Sequence, residues 1–389
     1  MIKRFSSLYA GHVDFEESGQ NADPVNDRRY PNEHLATVFD KSEALARCMD
    51  EHGYHTLWFA EHHFQHEGYE VIPNIPMLGV HLSHLTKTLR YGCGFNITPM
   101  WHPLRLAEDF AVADILSKGR VTFGVGRGYH TREVETLGGP LLDAEANRDI
   151  FEEQVDILFK AFHEESFSHK GKYYTLPPEV PYRGYDLKEI SLVPRPLRTP
   201  VECWQPVVSA QDRGLDFMMK HGIKGIIGGG SALMADKSIH AFQAAHQRAG
   251  IDAKLGENLC FGISFHLAPT HEQAIREARP YYEEHAKMFG PLGFLGPLKK
   301  PQIEALGRRG GIDEAGIPTL EDACANGAWY CGPPEGFVEF LQQVGEKYPG
   351  VEDVNVQSAM GTPESVMIEQ LEWFARDVMP KVKPAQAAA

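Results

Sequence analysis

Short apolar runs alternate along this chain with longer stretches in which apolar residues return every third or fourth position. The first pattern is that of a buried strand, the second that of a helix with one buried face. The runs predict eight strands: Arg4 to Tyr9, Thr56 to Ala60, Leu89 to Ile97, Val121 to Val125, Cys203 to Ser209, Gly225 to Gly228, Leu259 to Leu267 and Asp353 to Gln357. The periodic stretches predict helices over Glu33 to His52, Leu104 to Ser117, Ala144 to Glu165, Gly214 to His221, Ala232 to Ala249, Glu272 to Met288 and Pro363 to Val378. Gly or Pro marks most of their ends. Such alternation makes parallel strands with helical crossovers, and eight units close into a (β/α)8 TIM barrel, with an open doubly wound sheet as the alternative.

The chain exceeds a minimal barrel in three places: Gly11 to Asn32, Ser168 to Pro200 and Phe289 to Pro334. Each is rich in Pro, Gly and charge, which suits surface insertions in the βα loops better than a second core. One domain is expected over residues 1–380, with 381–389 as a flexible tail. The third insertion carries Gly290, Gly293, Gly296, Gly307, Gly310 and Gly311 just before the last strand, and reads as an active-site lid.

Composition narrows the partners. With 42% hydrophobic and 23% charged residues the chain can bury an extensive core. A formal charge of −15, with no long basic run, argues against nucleic acid or an anionic membrane surface as partner. No apolar stretch has spanning length or the form of a signal peptide, so a cytoplasmic protein is expected. Its six cysteines are scattered without Cys-x-x-Cys pairs and read as reduced, mostly buried thiols.

Barrel chemistry gathers where the strands end. The second strand runs out into Glu61-His62-His63-Phe64, and neighbouring side chains on an extended segment point to opposite sides. Zinc needs three or four convergent ligands, so no metal is expected on this pair or on His66. A catalytic or substrate-facing histidine and a merely packed pair both remain open on these residues alone. The third strand ends in Gly94, Phe95 and Asn96, the fourth in Gly126, Arg127, Gly128 and Tyr129, the fifth in Ser209, Ala210 and Gln211. An always-charged Arg127 between glycines, with a turn that opens a helix, suits an anion such as phosphate. The Gly124-x-Gly126-x-Gly128 spacing is not the dinucleotide fingerprint and lies in the fourth unit rather than the first.

Four motifs in order carry a resemblance: Trp58-Phe59-Ala60-Glu61-His62-His63-Phe64; His102-Pro103-Leu104-Arg105-Leu106-Ala107-Glu108-Asp109; Ser117-Lys118-Gly119-Arg120 with Phe123-Gly124-Val125-Gly126-Arg127-Gly128-Tyr129; and Asp377-Val378-Met379-Pro380. Together they resemble the bacterial luciferase-like family of flavin-dependent monooxygenases, from the first strand to Met379. The resemblance implies the barrel and reduced FMN supplied by a separate flavin reductase. It implies dioxygen as co-substrate and, through a flavin hydroperoxide, oxygenation of a small, partly apolar organic substrate by a homodimer. It puts His62 at the flavin's reactive edge with His63 in support, and a non-prolyl cis peptide at Gly94-Phe95 beneath the ring system. It puts the FMN phosphate on Arg127 and on Ser209, Ala210 and Gln211, and lets Phe95, Asn96 and Tyr129 contact the flavin. Hydride transfer with a deazaflavin or FMN, and a non-catalytic flavin-binding partner subunit, are the alternatives.

Overall fold

The computed structural model describes residues 2–228 and 231–382. Eight parallel strands, β1 (Arg4–Tyr9), β2 (Thr56–Phe59), β3 (Arg90–Cys93), β4 (Val121–Gly126), β5 (Cys203–Pro206), β6 (Lys224–Ile227), β7 (Leu259–Leu267) and β8 (Asp353–Gln357), pair in that order. The ring closes where β8 meets β1, with Arg4 opposite Asp353. The expected closed barrel is therefore present.

Side-chain alternation sends Phe5, Phe265 and their equivalents outward onto the helices, where Phe5 meets Phe374 at 5.1 Å and Phe265 meets Phe337 at 5.5 Å between ring centres. The inward set fills the barrel. Trp58 and Trp204 pack edge to face at 5.6 Å and, with Cys260 and the flanking Leu8, Phe95 and Ile226, plug its middle. Below them the ion pairs Arg4–Asp353 (2.6 Å), Lys224–Glu202 (2.9 Å) and Arg90–Glu202 (3.3 Å) close the N-terminal end.

Three departures from the sequence expectation have local causes. The third strand is not continuous from Leu89 to Ile97: the Gly94–Phe95 peptide is cis, and pairing resumes only at Asn96–Ile97, alongside β4. A helix over Ile75–Ser83, unexpected because of Pro76 and Gly79, forms because Asn74 caps it and the proline lies in the first turn, where its missing N–H costs nothing. Between β7 and β8 the helix that joins the main core is Pro334–Lys347, through Phe337, Leu341 and Val344. The expected His271–Phe289 helix instead nucleates a satellite core of Ala274, Ala278, Tyr282, Leu320 and Trp329.

The third insertion is accordingly more built than a glycine-rich loop. It folds helices over Lys300–Leu306, Ile312–Ala315 and Leu320–Ala325, and its strand Trp329–Gly332 pairs with β7. It joins the first insertion through Gly310 N–H to Gln20 O (2.8 Å) and the Arg309–Asp23 pair. Buried Glu284, on the His271–Phe289 helix, receives Arg28 (2.6 Å), Tyr69 (2.5 Å) and the Gly19 N–H (2.9 Å), so this helix and the first insertion share one buried charge. The second insertion follows a helix rather than a strand and forms two short hairpin pairings, His169–Lys170 with Thr175–Leu176 and Pro181–Tyr182 with Tyr185–Asp186. At the C-terminus a helical turn, Met379–Val382, runs into the expected tail; residues 383–389 of that tail lie outside the described residues.

The plug makes a stability prediction. A Cβ on Gly92 would sit 1.9 Å from Cε3 of Trp58, whereas one on Gly345 would meet nothing nearer than 3.9 Å. In urea unfolding, Gly92→Ala should lose about 1–3 kcal/mol or more. Gly345→Ala, inside the Pro334–Lys347 helix, should be neutral or gain up to about 1 kcal/mol. Equal midpoints for the two variants would contradict the packing described.

Candidate active site

The mouth lies at the C-terminal ends of the strands, and the residues after β2 divide there. The Glu61 carboxyl turns inward, accepting Ile97 N–H (2.9 Å) and Trp101 Nε1–H (2.8 Å), and His63 Nε2 lies 3.0 Å from it. His62 takes the other side, as alternation requires, and is buried. Its Nδ1 lies 3.1 Å from Glu133 Oε2 and its Nε2 lies 2.9 Å from the Tyr129 hydroxyl. The same hydroxyl is 2.9 Å from Glu70 Oε1, whose other oxygen is 3.0 Å from His130 Nε2. Gln65 Nε2–H holds the second oxygen of Glu133 at 2.7 Å.

Counting protons constrains this network. One phenolic proton cannot serve both His62 Nε2 and Glu70 Oε1, so a further proton must sit on one of them. Burial by itself would lower the His62 imidazole, but Glu70, then Glu133, then Glu61 outweigh it and leave it above its ordinary 6.5. The His62 imidazole is thus held between two carboxyl groups, Glu70 and Glu133, which favour its protonated form. Burial and the neighbouring Glu70 raise the Tyr129 phenol well above 10, so it keeps its proton. Among the described residues, His62, Glu70 and His130 form a group whose donor atoms, all within 4.8 Å of one another, could hold a metal ion. Each of those atoms already faces a partner within the network.

Across the mouth the charge is positive. Arg127, after β4, has one weak side-chain contact, Nη1–H to Asn147 Oδ1 at 3.5 Å, and no carboxylate partner among the described residues. Burial, then Arg148, lower its pKa, Glu152 opposes them, and Arg213 adds to the lowering, so three guanidiniums share one neighbourhood. A Cβ on Gly214 would lie 3.3 Å from Arg148 Nη1, which puts that guanidinium against the first turn of the Asp212–His221 helix. This helix has no side-chain cap, and its leading N–H groups follow Ser209, Ala210 and Gln211, an exposed to half-exposed turn. Arg213 is paired with Asp149 (2.8 Å) and Glu152 (2.7 Å) and Arg148 lies 3.8 Å from Glu152, so Arg127 is the guanidinium left for an anion, and with an uncapped helix start nearby it fits a phosphate.

Glycines make room between these two poles. Gly94 and Gly126 meet only ordinary to tight contacts at 3.2 Å or more, and a Cβ on Gly228 would meet nothing within 4 Å. Phe95 packs against the tryptophan plug, and Asn96 is fully buried, donating Nδ2–H to Gly124 O at 2.9 Å with its Oδ1 unpartnered. The Phe294 ring of the third insertion stands over Tyr129 at 5.2 Å.

The structure thus brings His62 and Tyr129 together, sets His63 apart on Glu61, and puts Arg127 in the neighbourhood of Arg213, on the helix that follows the 209–211 turn. Sequence reasoning missed Glu70, His130 and Glu133, and the arginines Arg148 and Arg213. The one readable mark of Arg148 was its place near the start of a helix capped by Asp143, which an ordinary surface charge shares. For Glu70, in a loop, there was none.

Comparison with known proteins sets these features in a family. The sequence profile of the luciferase-like monooxygenases matches residues 22–348. The oxygenase component of a flavin-dependent trigonelline monooxygenase from Acinetobacter baylyi (strain ATCC 33305 / BD413 / ADP1) is 31% identical over 141 residues, 36% of this chain and 38% of that protein. The chain thus spans under two-fifths of that curated relative's length. Among solved structures, the fold resembles the oxygenating constituent of 3,6-diketocamphane monooxygenase from Pseudomonas putida, in complex with FMN (TM-score 0.71, 17% identity, 98% of this chain and 99% of that one). It also resembles an F420-dependent secondary alcohol dehydrogenase (TM-score 0.67, 14% identity, 99% and 100% of the two chains). The family profile, spread over most of the barrel, is decisive: this chain belongs to the luciferase-like monooxygenase family.

Proposed function

We propose that the chain is the oxygenase component of a two-component flavin monooxygenase. It takes reduced FMN from a separate flavin reductase and transfers one atom of dioxygen to a small, partly apolar organic substrate in the cytoplasm. The observation that carries this reading is the pairing, at one mouth, of a His62 imidazole flanked by two carboxyl groups with the helix start near Arg127. Arg127, Arg148 and the N–H groups after Ser209, Ala210 and Gln211 would hold the phosphate, and Phe95, Asn96, Gly126 and Tyr129 would face the ring system. When bound, reduced flavin supplies the dioxygen activation, and the protein's part is binding, orientation and proton supply.

Glu70 and Glu133 favour the protonated form of His62, which suits the ring to donating a proton rather than to acting as a base. Tyr129 and Glu70 connect its Nε2 to His130, which offers a path for replacing that proton. The homodimer is supported by apolar side chains left exposed on two neighbouring helices: Met77 on Ile75–Ser83, and Val112 and Leu116 on Pro103–Leu116. Hydride transfer with a deazaflavin is the second reading, supported by the fold's likeness to the F420-dependent dehydrogenase.

Three outcomes are expected. Arg127→Ala should weaken reduced-FMN binding at least about tenfold in an anaerobic fluorescence titration, through loss of charge-assisted hydrogen bonds; an unchanged Kd moves the phosphate elsewhere. His62→Ala should lower turnover by about a hundredfold or more while the flavin Kd stays within a few-fold, and His63→Ala should act on stability or flavin binding instead. Product yields that fall only in the His63 variant reverse the assignment.

Glu70→Gln should lower the His62 pKa, followed by NMR titration of its ring nitrogens. The sign for stability follows. Because the folded value is raised above 6.5, the imidazolium's contribution is complete below pH 6.5 and disappears as pH rises through the folded value. Unfolding free energy should fall over that window in the parent protein and be flatter in Glu70→Gln. A His62 pKa unmoved by the substitution would put the extra proton elsewhere.

A further inference from the structure

His285 stands apart from every other histidine near the mouth. It lies on the His271–Phe289 helix next to Glu284, whose buried contacts with Arg28, Tyr69 and Gly19 fix the rotation of that helix. Yet the Nδ1 of His285 is buried without a hydrogen-bond partner among the described residues. A buried polar atom left unmatched by its own chain is costly, so a native structure that retains one invites a ligand explanation.

The rings around it say what that ligand is. His285 contacts Phe289 at 4.5 Å and stands edge-on to Trp329 at 5.8 Å. Phe289 meets Phe294 at 5.5 Å, Phe294 meets Tyr129 at 5.2 Å, and Tyr129 meets His62 at 5.2 Å. A continuous ladder of rings therefore runs from His62 to His285. Burial lowers the His285 imidazole to about 4 despite the nearby Glu70, so it is neutral at physiological pH. A neutral ring nitrogen among aromatic faces, with a carboxylate close by, gives an anionic group nothing to pair with and favours an uncharged one.

We propose that His285 is the hydrogen-bond partner of the substrate, and that Phe289, Phe294 and Trp329 receive an uncharged, ring-bearing molecule with one carbonyl or hydroxyl group. This rests on the reading of the mouth as a flavin and substrate site, and it assigns that site a substrate class. The bond fixes one end of the substrate while the ring faces hold its body, which orients the molecule relative to His62.

The test uses three probes on the full chain, with and without oxidised FMN, by calorimetry: acetophenone, its hydrocarbon counterpart ethylbenzene, and benzoate. Acetophenone should bind about tenfold more tightly than ethylbenzene, the worth of one neutral hydrogen bond, and benzoate should bind more weakly than acetophenone. His285→Phe keeps a ring and should erase the preference for acetophenone while leaving ethylbenzene within about twofold. His285→Asn should restore part of it, and Phe294→Ala should weaken both neutral probes. A preference that survives in His285→Phe, tighter binding of benzoate, or no probe binding to protein that takes up FMN overturns the proposal. FMN uptake is read in the same samples. Its absence with the probe pattern intact would sink the flavin reading and leave His285 assigned.

Discussion

The mouth of the barrel depends on one buried carboxyl group. Glu61 reaches from the end of β2 to the Ile97 N–H, the Trp101 indole and His63, and so ties the chain that leaves β2 to the chain that resumes beyond the cis peptide. A carboxyl group taken out of water needs such donors, and here all of them come from the segments that must be held in register. His63 is drawn toward Glu61 as one of these partners, and its neighbour His62 is thereby turned to the opposite side. The position of His62 is thus set by what its neighbours bind as much as by its own contacts.

Charge at the mouth is strongly polarised although the chain as a whole is acidic. Glu70 and Glu133 flank the His62 imidazole on one side, while Arg127, Arg148 and Arg213 crowd together on the other. The two sides are unlike: carboxyl groups favour a proton on His62, while Asp149 and Glu152 pair with Arg213 and Arg148 and leave Arg127 without a carboxylate partner among the described residues. A ligand with a phosphate at one end and a redox-active ring at the other matches that division, and glycines rather than bulky side chains occupy the strand ends between the poles. The insertions finish the wall, since the shared charge of Glu284 fastens the first insertion to the helix that carries His285.

Much of the barrel could be read from the residues because its strands are apolar runs with clear stops, and each of the eight lies within a residue or a few of its expected place. Local composition misled where a tertiary or capping contact overrode it. Pro76 and Gly79 argue against a helix that Asn74 nonetheless starts. The Trp329–Gly332 strand is short and bracketed by glycines, so only its pairing with β7 identifies it. At the site, His62, Tyr129 and Arg127 were legible because they leave strand ends in motifs. Glu70, His130 and Glu133 were not, since a loop acid carries no mark of the partner it will meet. Arg148 and Arg213 look like ordinary solvent-facing charges of amphipathic helices until the fold brings them to Arg127. His285 is hidden for the same reason, on a helix whose sequence pattern gives no hint that it packs over the mouth.

The tryptophan plug and the ion pairs beneath it seal the barrel at its N-terminal end. Access along the barrel axis is thereby left to the C-terminal mouth. Under the proposed function, order of arrival would then be a structural property: a cofactor seated deep against the glycine floor would enter before a substrate that fills the space above it, and would leave after the product. The closed end would in that way favour a sequential kinetic scheme through residues that never touch the reactants.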